Sequence, residues 1–208
     1  MSDALFEVLS AAEADRVTAL YAPLAHAVRE LIDATIRTEA DDVVVGNART
    51  AIEAVTQSLR QRTRPFGVSY RVDDRPLPLG NAVVGSCNPI APPIVVHHED
   101  DGRCWGEFVL GSAYEGPPGL AHGGVSALVL DHMLGEAASE GLSKARFTGT
   151  ITVKYLRGTP LGALRSEAWI DRTEGVKVFA RGTISDAKGV TVEAEGVFIE
   201  PSWAQEAK

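Results

Sequence analysis

Residues 116–138 read GPPGLAHGGVSALVLDHMLGEAA, and the reading of the fold turns on them. A rigid turn, Gly116-Pro117-Pro118-Gly119, leads into His122-Gly123-Gly124 and then an apolar helix. Turn glycines leave backbone N–H groups free, and a helix N-terminus concentrates about half a positive charge there. Two turns further on sits Asp131. A carboxylate is out of place in a core helix unless it has a task. Free N–H donors with a carboxylate nearby can polarise a carbonyl and activate water.

Downstream of this stretch the hydrophobic period is two. Strands are predicted over residues 147–157, 163–172, 177–186 and 190–200, joined by short turns. Val178, Ala180, Gly182 and Ile184 share one face, as do Val190, Val192, Ala194, Gly196 and Phe198, with Thr191, Glu193 and Glu195 opposite. One face is apolar and the other polar, the pattern of an antiparallel meander with one wet side. Ala168, Ala180, Gly182, Ala194 and Gly196 are small and leave room for a helix lying close on the sheet. Upstream, residues 94–98 and 103–110 read as a hairpin around Glu99-Asp100-Asp101-Gly102. Two strands, one buried helix and four strands make an α+β hotdog fold, a sheet wrapped around a single helix.

Before it lies a helical extension. Val17, Leu20, Leu24, Val28 and Leu31 recur at helical spacing, and Val45, Ile52, Val55 and Leu59 mark a further helix over 41–62. Pro23 is expected to separate a short first helix from a second. The chain thus divides into a helical extension (1–62), a Pro/Gly-rich extended connection (63–93), the hotdog unit (94–200) and a tail (201–208).

A formal net charge of −8 argues against nucleic acid or an anionic membrane as partner. Cys87 and Cys104 are too few for a disulfide framework and read as reduced thiols. No signal-peptide pattern and no membrane-spanning apolar run stand in the sequence, which reads as cytoplasmic. His97-His98 beside Asp100 and Asp101 makes a poor metal site, because neighbouring strand residues face opposite ways. His132 points about 100° away from Asp131 around the helix, and Glu136 reads as a surface or dimer-seam residue.

Gly119-Leu120-Ala121-His122-Gly123-Gly124, with Asp131 nine residues after the histidine, resembles the hotdog acyl-CoA thioesterases of the phenylacetate-degradation (PaaI) and broader thioesterase-superfamily types. Ser86-Cys87-Asn88-Pro89 and Val153-Lys154-Tyr155-Leu156-Arg157 resemble segments of the same family, so the likeness covers about residues 83–200. It implies hydrolysis of an acyl-CoA thioester without metal or redox cofactor. The N–H groups of Gly123 and Gly124 would hold the carbonyl oxygen, Asp131 would act as general base or nucleophile, and His122 would brace the turn or move a proton. Relatives add a Ser or Thr from the strand after the helix, for which Thr148 is the match. Phe147, Ile151 and Val153 define the apolar face, so Thr148 reaches the site only if the strand bulges near Gly149. PaaI-type relatives place an Asn six residues before the histidine, where this chain has Gly116. Lys154 and Arg157 are the candidates for the CoA phosphates.

Spacing adds an inference of its own. Asp131 lies seven residues beyond Gly124, or about 10 Å along the axis. One helix cannot present both groups to one carbonyl, so a site composed across a homodimer or homotetramer is expected. The rival readings are a hotdog hydratase or dehydratase and a non-catalytic module binding acyl-CoA or a protein. The former usually pairs an Asp with a His on the loop before the helix, and no such spacing occurs here.

Overall fold

The computed structural model describes residues 6–64, 69–73, 75–92 and 94–205. Its centre is α3 (Gly123–Ala138), with Val129, Leu130, Met133 and Leu134 fully buried. Six strands wrap it: β4 (His97–His98), β5 (Cys104–Leu110), β6 (Phe147–Tyr155), β7 (Gly162–Glu174), β8 (Lys177–Asp186) and β9 (Gly189–Ile199). They lie in the order β4-β5-β7-β8-β9-β6, every neighbouring pair antiparallel. This is the hotdog arrangement expected from the sequence.

Small residues set the helix–sheet distance. A Cβ on Gly182 would meet Leu134 Cδ2 at 3.3 Å and the Glu167 carbonyl at 2.8 Å, and one on Gly196 would meet Leu134 Cδ1 at 3.3 Å. Leu134 therefore seats in a hollow that two glycines make, and Ala168, Ala180 and Ala194 continue it as buried residues. Close packing of this kind is intolerant of added volume.

Register shifts decide which residues reach the core. One falls between Thr148 and Thr150 in β6, the bulge the sequence required. Ile151 and Val153 pack on the core, and the shift brings Thr148 to their side of the strand. Phe147, expected on the apolar face, is exposed and meets Trp203 edge-on at 6.5 Å. A second shift between Ile184 and Ser185 alters the start of β9. Thr191 is consequently buried, not wet, and donates to the Ile184 carbonyl at 3.1 Å while pairing with Thr159.

The N-terminal part differs from the sequence reading in three ways. Pro23 does not break the helix: α1 runs unbroken from Ala11 to Arg37. Pro23 is exposed, so the carbonyl it leaves unpaired can face water, while Val17 and Ala25 anchor the helix on either side. A strand, β1 (Phe6–Leu9), precedes α1 and pairs in parallel with β2 (Ser69–Val72), which pairs antiparallel with β3 (Arg75–Leu77). The proline-rich connection thus builds part of a small separate sheet. Tyr70 and Leu79 from it bury against Val17 of α1. Finally, α2 (Asp42–Arg60) has no buried residue at all.

Candidate active site

The turn before α3 is held at every step. Gly116 N–H donates to the Leu120 carbonyl, Ala121 N–H to Thr159 and His122 N–H to Tyr114, at 2.8–2.9 Å. Gly119 has φ +75° and gives its N–H to the Glu115 carboxylate at 2.6 Å. Gly116 is a glycine for a different reason. A Cβ there would come within 2.8 Å of His122 Cα, so no Asn side chain fits where PaaI-type relatives carry one.

His122 caps the helix. Its Nδ1 accepts the Gly124 N–H at 3.0 Å. The acceptor lone pair requires a neutral imidazole with its proton on Nε2. The Gly123 carbonyl, on the same peptide unit, accepts the Tyr155 hydroxyl at 2.8 Å. Both ends of the Gly123–Gly124 peptide are therefore pinned, one by a histidine and one by a tyrosine. The Gly123 N–H, by contrast, has no hydrogen-bond partner among the described residues and points out of the helix start. Of the two glycine donors expected, one is committed within the chain and one is available.

Asp131 is half-buried on the flank of α3 facing β6, where the Thr148 hydroxyl donates to its Oδ1 at 3.0 Å. The bulge makes this contact possible. β6 thus touches the helix twice, Thr148 at the acid midway along it and Tyr155 at the donor turn. Its other edge pairs with nothing among the described strands. Within one chain the acid and the free N–H stay eight residues apart, about 12 Å along the axis.

The two basic candidates differ in how far they are engaged. Arg157 forks onto both oxygens of Asp186 and also donates to the Gly189 carbonyl, closing the β8–β9 turn. This guanidinium holds the Asp186 carboxyl down to about 2. Lys154 lies 3.9 Å from Glu193 and is well exposed.

Glu136 is not at the surface. It is buried between two imidazoles, His132 Nε2 at 3.3 Å and His98 Nε2 at 3.5 Å. His97 stacks on Trp105 with ring centroids 4.4 Å apart. Both cysteines are free, and burial, with the Glu136 carboxylate nearby, pushes the Cys104 thiol up to about 12. No helix among the described residues is long and apolar enough to cross a membrane.

The sequence reading missed Tyr155 as a site residue. Its signal was an aromatic closing a strand of alternating polar and apolar residues, with no spacing rule to tie it to a glycine 32 residues earlier.

Comparison with known proteins settles the family. A crystal structure of a thioesterase superfamily protein is 32% identical to this chain, with the match covering 86% of this chain and 90% of that one at a TM-score of 0.78. The chain belongs to the thioesterase superfamily. The family model of that superfamily matches residues 118–193, which contain α3 and β6 to β8 complete. Among curated superfamily relatives, acyl-coenzyme A thioesterase THEM4 of Xenopus laevis is 34% identical over 96 residues, 45% of this chain and 43% of its own. The Bos taurus THEM4 is 28% identical over 110 residues, 51% of this chain and 45% of its own. The chain thus spans less than half the length of the curated relatives it matches. The solved superfamily protein matches too much of the chain for the hotdog unit alone, so part of the N-terminal region belongs to the shared fold.

Proposed function

We propose that this protein hydrolyses an acyl-CoA thioester to the free acid and CoA. The observation that carries the reading is the unpartnered Gly123 N–H at the positive end of α3, together with a carboxylate, Asp131, oriented by Thr148. The thioester carbonyl oxygen accepts the Gly123 N–H. Water attacks the carbonyl carbon while Asp131 takes its proton. The resulting oxyanion is stabilised by the preorganised donor and the helix end. Collapse breaks the C–S bond, and the thiolate leaves with little need of an acid, because it is a weak base. The Gly124 N–H is left to hold His122 and not the substrate. THEM4 relatives named for acyl-CoA hydrolysis support the substrate class.

The donor and the acid stand too far apart on one helix to act on one carbonyl, so the reading includes a homodimer in which Gly123 of one copy faces Asp131 of the other. The free edge of β6, which carries both Thr148 and Tyr155, suits such a contact. Lys154, the more exposed of the two basic candidates, can meet a CoA phosphate without giving up a close ion pair.

The test is thiol release from a panel of acyl-CoA thioesters. Asp131→Asn should lose about 10²–10⁴-fold in kcat, the span of a general base. Undiminished hydrolysis by that variant would overturn the mechanism. The dimeric site is tested by mixing Asp131→Asn with Gly123→Pro chains, each inactive alone. Subunit exchange should restore activity in heterodimers that carry one intact site, and a mixture as inactive as its parts would exclude a composite site.

A further inference from the structure

We propose that α2 is an exchanged arm that packs on α1 of a second copy of this chain. The proposal is independent of the hydrolytic reading. It starts from a helix that its own chain does not explain. Over 19 residues α2 buries nothing, whereas helices in proteins draw most of their stability from packing an apolar face. Yet its apolar residues Val45, Ala48, Ile52, Val55 and Leu59 step by three and four, the repeat of a helix–helix seam. A sequence that keeps that repeat over four turns is written for a partner helix.

The partner's chemistry is also in this chain. α1 uses one face on its own fold, where Ala14, Val17 and Ala25 are buried, Arg29 donates to the Asn88 carbonyl at 3.2 Å, and Asp33 takes the Ser112 hydroxyl at 2.6 Å. Its other face carries Leu20, Leu24, Ala27 and Leu31, stepping by four, three and four, and all four are exposed. The two stripes match in period and nearly in length, about 16 Å on α1 and about 21 Å on α2.

They do not meet within the chain. No residue of α2 is buried, the α1 stripe stays exposed, and the two helices make no substantial contact with each other in the chain. Reciprocal exchange between two copies satisfies both stripes at once, as two-fold symmetry requires.

The surface available is sufficient. Seven large apolar side chains are exposed on the two stripes, Leu20, Leu24 and Leu31 on α1 and Val45, Ile52, Val55 and Leu59 on α2. At roughly 90 Å² for a full apolar side chain, about half of it exposed, they offer roughly 600 Å² of apolar surface over two copies. At the usual apolar share of an interface this corresponds to roughly 1,000 Å² in total, the lower bound for a specific complex. The arm also starts beside the site. Asp33 near the end of α1 is bonded to Ser112, in the turn whose Tyr114 carbonyl holds the His122 N–H.

The test uses the full chain in two versions, one with Leu24→Cys and one with Ile52→Cys, both in a Cys87→Ser background. After mixing, subunit exchange and mild oxidation, a disulfide-linked pair of one Leu24→Cys chain and one Ile52→Cys chain is expected. Hydrogen exchange on the wild type should show the amides of residues 45–59 protected roughly tenfold or more over a free helix, with the protection lost in Ile52→Asp/Val55→Asp. Overturning results are a wild type that is monomeric at micromolar concentration, no link between a Leu24→Cys chain and an Ile52→Cys chain, a link found only between two Ile52→Cys chains, or unprotected α2 amides in the wild type. Neither readout depends on turnover: failure of the cross-link or of the protection in a wild type that is still oligomeric leaves the thioesterase reading standing, whereas a monomeric wild type would remove the composite site as well.

Discussion

Thr148 donates its hydroxyl to Asp131 Oδ1 at 3.0 Å, across a bulge that turns an outward-reading strand residue toward the central helix. The bond occupies Oδ1 and leaves Oδ2 as the oxygen that would take a proton from water in the proposed reaction. Thr148→Val removes one hydrogen bond of about 0.5–1.5 kcal/mol, so kcat should fall about 2- to 10-fold with KM nearly unchanged. Thr148→Ser keeps the donor and should recover most of the loss. Steady-state kinetics on the two variants decide the matter. Full activity in Thr148→Val with a loss in Thr148→Ser would show that the methyl group, not the hydroxyl, is what counts.

Tyr155 holds the start of the helix. Its hydroxyl bonds the Gly123 carbonyl, and its ring lies where a Cβ on Gly123 would come within 3.3 Å. Tyr155→Phe keeps the ring and frees the peptide. The expected result is a fall of about 2- to 10-fold in kcat, with thermal stability altered by less than about 1.5 kcal/mol. A KM effect alone would mean that Tyr155 meets substrate instead of aligning the donor.

Gly182 tests the packing that lets the helix sit in the sheet. Gly182→Val drives methyl groups against the Glu167 carbonyl and Leu134. Overpacking of this type costs about 1–3 kcal/mol. Chemical denaturation should show that loss with the denaturant slope unchanged, and a neutral substitution would mean that α3 can shift outward freely.

Asp186 predicts a response to acid. Arg157, with the Lys188 N–H and nearby charge, lowers its carboxyl from 3.8 to about 2. The folded state therefore binds this proton less readily than the unfolded chain does. Its contribution to stability is complete above about pH 4 and disappears as the pH falls through about 2. Stability measured from pH 5 to pH 2 should drop less steeply in Asp186→Asn than in the wild type, and parallel curves would contradict the assignment.

Cys104 gives the opposite case at high pH. Burial first, and the Glu136 carboxylate second, raise its thiol from 9.0 to about 12. The folded state keeps a proton that the unfolded chain gives up. Stability should be unaffected by this group below about pH 9 and should decline as the pH rises from there towards 12. In the native protein Cys104 should resist thiol reagents at neutral pH, while the half-buried Cys87 reacts first.

The architecture was legible because its signals are periodic. Strands β7, β8 and β9 lie within two residues of where alternation put them, and the small residues on their inner faces announced the helix they hold. What alternation could not reveal is where it stops. Thr191 and Phe147 were each assigned to the wrong side because a bulge inserts one residue and reverses every face before it. At Thr148 the same device was foreseen, since only a bulge could reconcile the family resemblance with the pattern. Glu136 looked like a surface residue because a helix sequence does not reveal that two imidazoles, one from β4, will close over it. Pro23 misled because propensity is local, whereas contacts that anchor the unbroken α1 come from elements far away in sequence.

The bulge in β6 has a consequence for how the molecule is joined to others. Upstream of Thr150 the free edge is interrupted, and only Thr150 to Tyr155 run on as an unbroken ladder. Any strand added there has six residues to pair with, roughly 20 Å. A slip of one residue would turn each added side chain to the opposite face. The irregularity that aims a hydroxyl at a carboxylate also works as a ruler, limiting the alignments in which the sheet can be extended by a neighbour.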